Sequence, residues 1–177
     1  MKNNKIEEMQ GVVNASIGSE DFLKEYCLVD YIDLVIYEKI AGDFNSGVFL
    51  KTDVNNSKCV FIPLSAKSYL NFKFILENHL MHVFNSYSLI NLISNFYDIE
   101  ILGAFVVDCV DDFFESYIFI GKDGDYSCIN IVISDVLCLN SMMEFPIYIN
   151  KEIVRSRGLN YSKIQKFLKE QNSIARD

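Results

Sequence analysis

The sequence predicts one layered domain of the α+β or α/β class, with a mainly antiparallel central sheet and flanking helices. Two β-hairpin patterns and a strand-sized apolar run predict the sheet, and segments with apolar residues at three- and four-residue steps predict the helices. The chain has 177 residues, half of them hydrophobic, including 14 Phe and 10 Tyr. That is enough apolar material for one core without metal or disulfide support. We expect a single globular domain over residues 11–177 and a flexible N-terminus over residues 1–10.

The first part of the chain predicts a short strand, a helical segment and a hairpin. Strand-like residues occupy Gly11–Ile17, and Ser19 is a suitable N-cap for helical structure over Phe22–Ala41. Two apolar runs, Gly47–Lys51 and Lys58–Ile62, flank an Asn-rich turn and predict a hairpin.

Helices, a central strand and a second hairpin follow. Ile99–Val107 is a nearly continuous apolar run, as in a strand covered on both faces. Tyr117–Gly121 and Tyr126–Ile133 flank an Asp-Gly turn, which is a strong hairpin signal. The remaining predicted elements are helices at Ala66–Phe84 and Ser88–Tyr97, a short strand at Pro146–Ile149, and a closing helix at Tyr161–Gln171 capped by Asn160.

Negative charge is concentrated in one window of the chain. Residues 98–135 carry nine carboxylates and one cation, so their net charge of −8 equals that of the whole protein. Such a concentration steers a partner of opposite sign or maintains solubility. It argues against nucleic acid and anionic membranes as partners, since both require clustered Lys and Arg. The C-terminal residues 151–177 are basic, and they can alternatively pack against the acidic region and neutralise part of it.

The densest acidic run, Asp108–Glu115, allows several interpretations. It is a solvated turn, a docking face for a cationic protein, or a site for a divalent cation or acid–base chemistry. The aromatic residues within and after it favour docking, because aromatic anchors among charges are typical of interfaces. The Asp-Gly turn of the second hairpin adds further carboxylates. The predicted partner-binding residues are Asp108, Asp111, Asp112, Phe113, Glu115, Asp123 and Asp125.

Other chemistry has weaker support. His79 and His82 have helical spacing for a shared metal, but no third histidine exists and H-E-x-x-H is absent. The five cysteines form no C-x-x-C pair, so we expect reduced thiols without a functional role. The sequence contains no G-x-S-x-G and no phosphate-binding loop motif. We therefore predict no catalytic residues, no metal and no cofactor.

One local motif carries a family resemblance. Ser156-Arg157-Gly158-Leu159, between an extended segment and the closing helix, resembles the C-terminal end of an immunity protein of bacterial contact-dependent growth inhibition systems. In size, acidity and overall character the chain is similar to such proteins. The resemblance implies a cytoplasmic protein without enzymatic activity that neutralises one toxin domain, commonly a cationic nuclease. It transfers no binding residue, because immunity interfaces vary with the toxin.

The leading functional hypothesis is therefore an immunity protein. Its acidic surface would bind a basic cognate toxin domain and block the active site of the toxin. The alternative hypothesis is a small metal-dependent enzyme that uses the His79 and His82 pair with nearby carboxylates.

Overall fold

One sheet organises the part of the chain that the structure describes. The computed structural model describes residues 24–40, 43–52, 58–77 and 85–166. Its strands are β1 (Tyr26–Ile40), β2 (Asp43–Thr52), β3 (Lys58–Leu64), β4 (Glu100–Val110), β5 (Phe113–Lys122), β6 (Asp125–Val132), β7 (Ile147–Asn150) and β8 (Leu159–Asn160). Within these ranges they form one eight-stranded sheet in the order β6-β5-β4-β7-β1-β2-β3-β8. Only the β4–β7 pairing among them is parallel, so the predicted α+β fold with a mainly antiparallel sheet is confirmed.

Short helices lie between the strands and after the last one. They are α1 (Ala66–Leu76), α2 (Ser86–Phe96), α3 (Ile133–Met143), α4 (Lys151–Arg157) and α5 (residues 161–166). Several helices begin at a side chain that accepts a hydrogen bond from a free backbone N–H of the first turn. The Ser65 hydroxyl accepts from Ser68 at 3.1 Å, and the Asn85 amide oxygen accepts from Ser88 at 2.9 Å. None of the helices in the described ranges is long and apolar enough to cross a membrane.

The main core lies between one face of the sheet and the helices α1 and α3. Phe72 of α1 and Leu137 of α3 are almost completely buried there. They belong to the same apolar cluster as Leu50, Val106 and Ile149 of the sheet. Burial of each such side chain contributes about 1.5–3 kcal/mol, so this layer is the main source of stability.

The opposite face of the sheet carries an aromatic cluster. Phe105 of β4 has no exposed surface and lies in the middle of it. Its ring packs edge-to-face on Phe119 at 4.8 Å and on Tyr26 at 6.0 Å, and it stacks on Tyr148 at 5.2 Å. Consecutive strand residues point to opposite faces, so β4 is buried on both sides, as its apolar run predicts.

Several sequence-based assignments require correction. The segment predicted as a helix over Phe22–Ala41 is largely the strand β1, because it pairs with β2 on one side and β7 on the other. The helices α3 and α4 were not predicted. The strand predicted to end at Ile133 stops at Val132, where α3 begins. The helix predicted at Ala66–Phe84 ends at Leu76, with Glu77 as its C-cap. Residues 1–23, 78–84 and 167–177 lie outside the described residues, and with them the flexible N-terminus, Gly11–Ile17, Ser19 and the end of the helix predicted at Tyr161–Gln171.

Phenylalanine-to-alanine substitutions should separate the core from the surface. We expect Phe105→Ala to lower the free energy of unfolding by about 3–5 kcal/mol, because it leaves a cavity at the centre of the aromatic cluster. Phe113→Ala removes a side chain that is 74% exposed, so it should change the free energy of unfolding by less than about 0.5 kcal/mol. Urea unfolding of both variants is the measurement, and equal effects would contradict the assignment.

Candidate functional site

The first acidic feature of the structure is the turn between β4 and β5. Asp111 and Asp112 form this two-residue turn, and both have positive φ angles, of 48° and 64°. Positive φ at both central positions is the geometry of a type I′ hairpin turn, which Asp tolerates better than most residues. Both side chains are exposed at the tip.

Two further carboxylates come from the strands that lead to this turn. Asp108 of β4 and Glu115 of β5 are register partners, and a β-bulge lies just before Asp108. The Tyr117 hydroxyl, two residues along the same strand, donates a hydrogen bond to Glu115 at 2.6 Å. We call the set Asp108, Asp111, Asp112 and Glu115 the acidic end.

Apolar side chains and a cavity adjoin the acidic end. Val110 and Phe113, which flank the turn, are 62% and 74% exposed. An open cavity of about 400 Å³ lies between the ends of β4, β5 and β6. Its lining residues are Asp108, Val110, Phe113, Phe114, Glu115, Ser116, Tyr117, Asn130, Ile131 and Val132. Three predicted site residues therefore share one concave surface, and Asp111 and Asp112 lie at the adjacent tip.

Sequence reasoning missed Val110, Asn130 and Val132 as members of this surface. They come together only through strand pairing, because Val110 is the register partner of Phe113 and Val132 that of Glu115. The available sequence signal for a tight hairpin was the pair Asp111-Asp112 between the apolar residues Val110 and Phe113.

Arg157, the last residue of α4, forms an ion pair with Asp112. The alternative in which the basic C-terminal segment packs against the acidic region is thereby confirmed for this residue. The Asp112 side chain is 74% exposed, and an ion pair in such a setting contributes little stability. Arg157 also counteracts the burial that raises the pKa of the nearby Cys109 thiol.

Asp123 and Asp125 lie at the other end of β5. Asp123 and Gly124 form the β5–β6 turn, with φ angles of 52° and 88°. Lys122 and Asp125, on either side of it, are register partners in the two strands. The strand β5 has ten residues, so this turn is about 30 Å from the acidic end. The Debye length at physiological ionic strength is about 8 Å, so the two groups do not act as one field. The structure thus separates the predicted partner-binding residues into two groups.

His79 and His82, the pair of the metal-site alternative, lie outside the described residues. Within residues 24–40, 43–52, 58–77 and 85–166, no three His, Cys, Asp or Glu side chains are grouped so that they could hold a metal. The carboxylates of the acidic end are arranged along a hairpin rather than around a common point.

All five cysteines are free thiols. Burial raises the pKa values of Cys128 and of Cys138 to about 11. Cys138 lies beside Tyr87, whose phenol pKa is raised by burial and by the hydrogen bond of 2.8 Å that its hydroxyl donates to Asp135. This partly buried group joins α2 to α3 and contributes to packing.

Comparison with known proteins gives no match to this chain, either among protein-family models or among curated sequences.

A double-mutant cycle should show how much the ion pair contributes. We expect a coupling free energy of roughly 0.2–1 kcal/mol between Arg157→Ala and Asp112→Asn, decreasing as salt is added. Asparagine is the suitable replacement because it also tolerates the positive φ of position 112. Urea unfolding of the wild type, both single variants and the double variant gives the value. A coupling above about 2 kcal/mol would contradict a solvent-exposed pair.

Alkylation should reveal the high thiol pKa values. A rise from the ordinary 9.0 to about 11 lowers the thiolate fraction of Cys128 and Cys138 at pH 8 by roughly a hundredfold. In the native protein, iodoacetamide should therefore modify them slowly, and the rate should still rise at pH 10. The same thiols should react at the ordinary rate in denaturant. Mass spectrometry of peptides measures both rates, and a native rate that levels off near pH 9 would disprove the assignment.

Proposed function

We propose that the protein is an immunity protein that binds a cognate, cationic toxin domain and neutralises it by covering its active site. The main observation in favour of this proposal is that the acidic end places four carboxylates beside the exposed Phe113 and an open cavity. The resemblance of Ser156-Arg157-Gly158-Leu159 to an immunity family supports the same function. On this proposal the protein acts in the bacterial cytoplasm and has no catalytic role.

The carboxylates and the apolar side chains have different roles in such a complex. Negative charge at the tip attracts a basic partner and raises the rate of association. Phe113 and Val110 supply apolar surface that becomes buried on contact, and aromatic anchors of this kind commonly dominate binding free energy. The cavity accommodates a side chain of the partner next to Asp108 and Glu115.

The position of the acidic end also suits an inhibitor. It is the tip of a hairpin whose other strand positions are held in the sheet, so the carboxylates are presented on a rigid support. A rigid, pre-organised surface loses less conformational entropy on binding than a flexible loop. On this proposal the exposed tip enters the active site of the toxin.

Charge reversal at the acidic end should weaken toxin binding. The test variant carries Asp111→Lys, Asp112→Lys and Glu115→Lys. On this proposal its partner is a toxin domain whose gene adjoins the immunity gene, as in the family that the sequence resembles. We expect roughly a hundredfold loss of affinity or more at low ionic strength, mainly through slower association for tip charges. The dependence of affinity on salt should also become weaker. Surface plasmon resonance at two ionic strengths measures both effects.

A matched variant at the other end of β5 controls for net charge. Glu100→Lys, Asp123→Lys and Asp125→Lys also replace three carboxylates, and each replacement adds two positive charges. Both triple variants therefore change the net charge from −8 to −2. Equal weakening by the two variants would show a nonspecific charge effect, and no weakening by the first would remove the acidic end from the interface. Weakening by the second variant alone would place Asp123 and Asp125, rather than the acidic end, at the interface.

A further inference from the structure

The helix α2 presents its apolar side to solvent. Leu89, Ile90, Leu92, Ile93 and Phe96 are between 40% and 77% exposed. Tyr97 follows directly, 54% exposed, with its ring edge-to-face against Phe96 at 5.0 Å. A surface helix in a monomer normally turns such a stripe toward the core.

The inward side of α2 is its polar side. Tyr87, Asn91 and Ser94 lie one turn apart, at positions i, i+4 and i+7, and are partly or fully buried. The Tyr87 hydroxyl donates a hydrogen bond to Asp135 of α3, and Asn91 accepts one at 3.0 Å from the exposed Asn95 amide. Covering the outer side of α2 would therefore remove few polar groups from water, so its desolvation would cost little.

This helix lies in the longest uncharged part of the sequence. From Asn78 to Tyr97 the chain has 20 residues without Asp, Glu, Lys or Arg, although its net charge is −8. A cationic partner finds no complementary charge on this helix. Two copies of the chain repel each other through their like net charge. The helix itself carries no charged side chain, so it adds nothing to that repulsion. Two identical helices can also pack the ridges of one into the grooves of the other across a two-fold axis.

We infer that α2 is a homodimer contact, in which two copies of the chain pack α2 against α2. A whole aromatic side chain has a surface of about 200 Å², so the exposed parts of Phe96 and Tyr97 together provide roughly 250 Å² of apolar surface. The four aliphatic side chains bring the patch to roughly 500 Å², which is less than the roughly 800 Å² per partner of a standard interface. The dimer is therefore concentration-dependent rather than obligate.

The dimer is compatible with the acidic end and does not depend on the proposed function. The helix α2 packs on α3, on the helical face of the sheet. Phe113 and Glu115 share the opposite face with Tyr117 and Phe119, because they alternate along β5 with the core residues Phe114 and Ile118. Pairing through α2 leaves the cavity beside the acidic end open.

Sedimentation velocity of the full chain tests this inference. Over protein concentrations from about 1 μM to about 1 mM, which span moderate to weak affinities, the mean mass should rise from 20.4 kDa toward twice that value. Added NaCl should strengthen the association, because it screens the repulsion between two copies of charge −8. Leu92→Glu and Phe96→Glu should each weaken it at least about tenfold.

The matched control is Phe113→Glu, which adds the same charge at a similarly exposed phenylalanine on the other face of the sheet. It should leave the association unchanged, and Phe96→Ser should weaken it without adding charge. Circular dichroism verifies that each variant is folded. A wild type that stays monomeric throughout, or a Phe113→Glu variant that dissociates as readily as Phe96→Glu, would overturn the homodimer. A monomer that needs Phe96 for toxin binding or for binding phosphatidylcholine vesicles would overturn it equally, and assign α2 to that partner.

Discussion

The pairing of β7 with two strands at once holds the sheet together. β7 has only four residues, yet it lies between β4, which it meets in parallel, and β1, which it meets antiparallel. It thereby joins the hairpins β4–β5–β6 to the strands β1, β2, β3 and β8. Ile147 and Ile149 are buried in the main core. Without β7, two inner strands would each lose backbone hydrogen-bond partners, at a cost of about 1–3 kcal/mol for every buried group left unpaired.

Other parts of the structure depend on this strand. Tyr148 points to the opposite face from its two neighbours and stacks on Phe105, so β7 contributes to both layers of the core. The chain leaves β7 directly into α4, which Asn150 caps by accepting a hydrogen bond from Glu152 at 2.8 Å. Arg157 at the end of this helix then reaches Asp112. The basic segment meets the acidic end because β7 occupies the centre of the sheet.

Local signals account for the elements that the sequence predicted. The two hairpins have turn residues between apolar runs, and β4 is apolar throughout, so neighbouring residues suffice to identify them. The strand β1 was misassigned because Leu28, Ile32 and Val35 also fit helical spacing. Its β-structure depends on partners elsewhere, and the Cys27 thiol donates to the Ile149 carbonyl 122 positions later. For α4, the Asn150 cap and Arg157 in the last turn were available signals.

The acidic window shows what charge counting along a chain leaves out. Residues 98–135 are one run in sequence, but β5 passes through the middle of it and carries its two turns to opposite ends of the sheet. The local excess at the acidic end is therefore smaller than the −8 of the window, and Arg157 reduces it further. The acidic end has apolar neighbours instead, because strand register brings Val110 and Phe113 together there. A uniform negative surface would favour any cation, whereas carboxylates around an apolar recess discriminate by shape as well as charge. Salt then acts in opposite directions on the two proposed surfaces, because screening weakens attraction at the acidic end and relieves repulsion at α2.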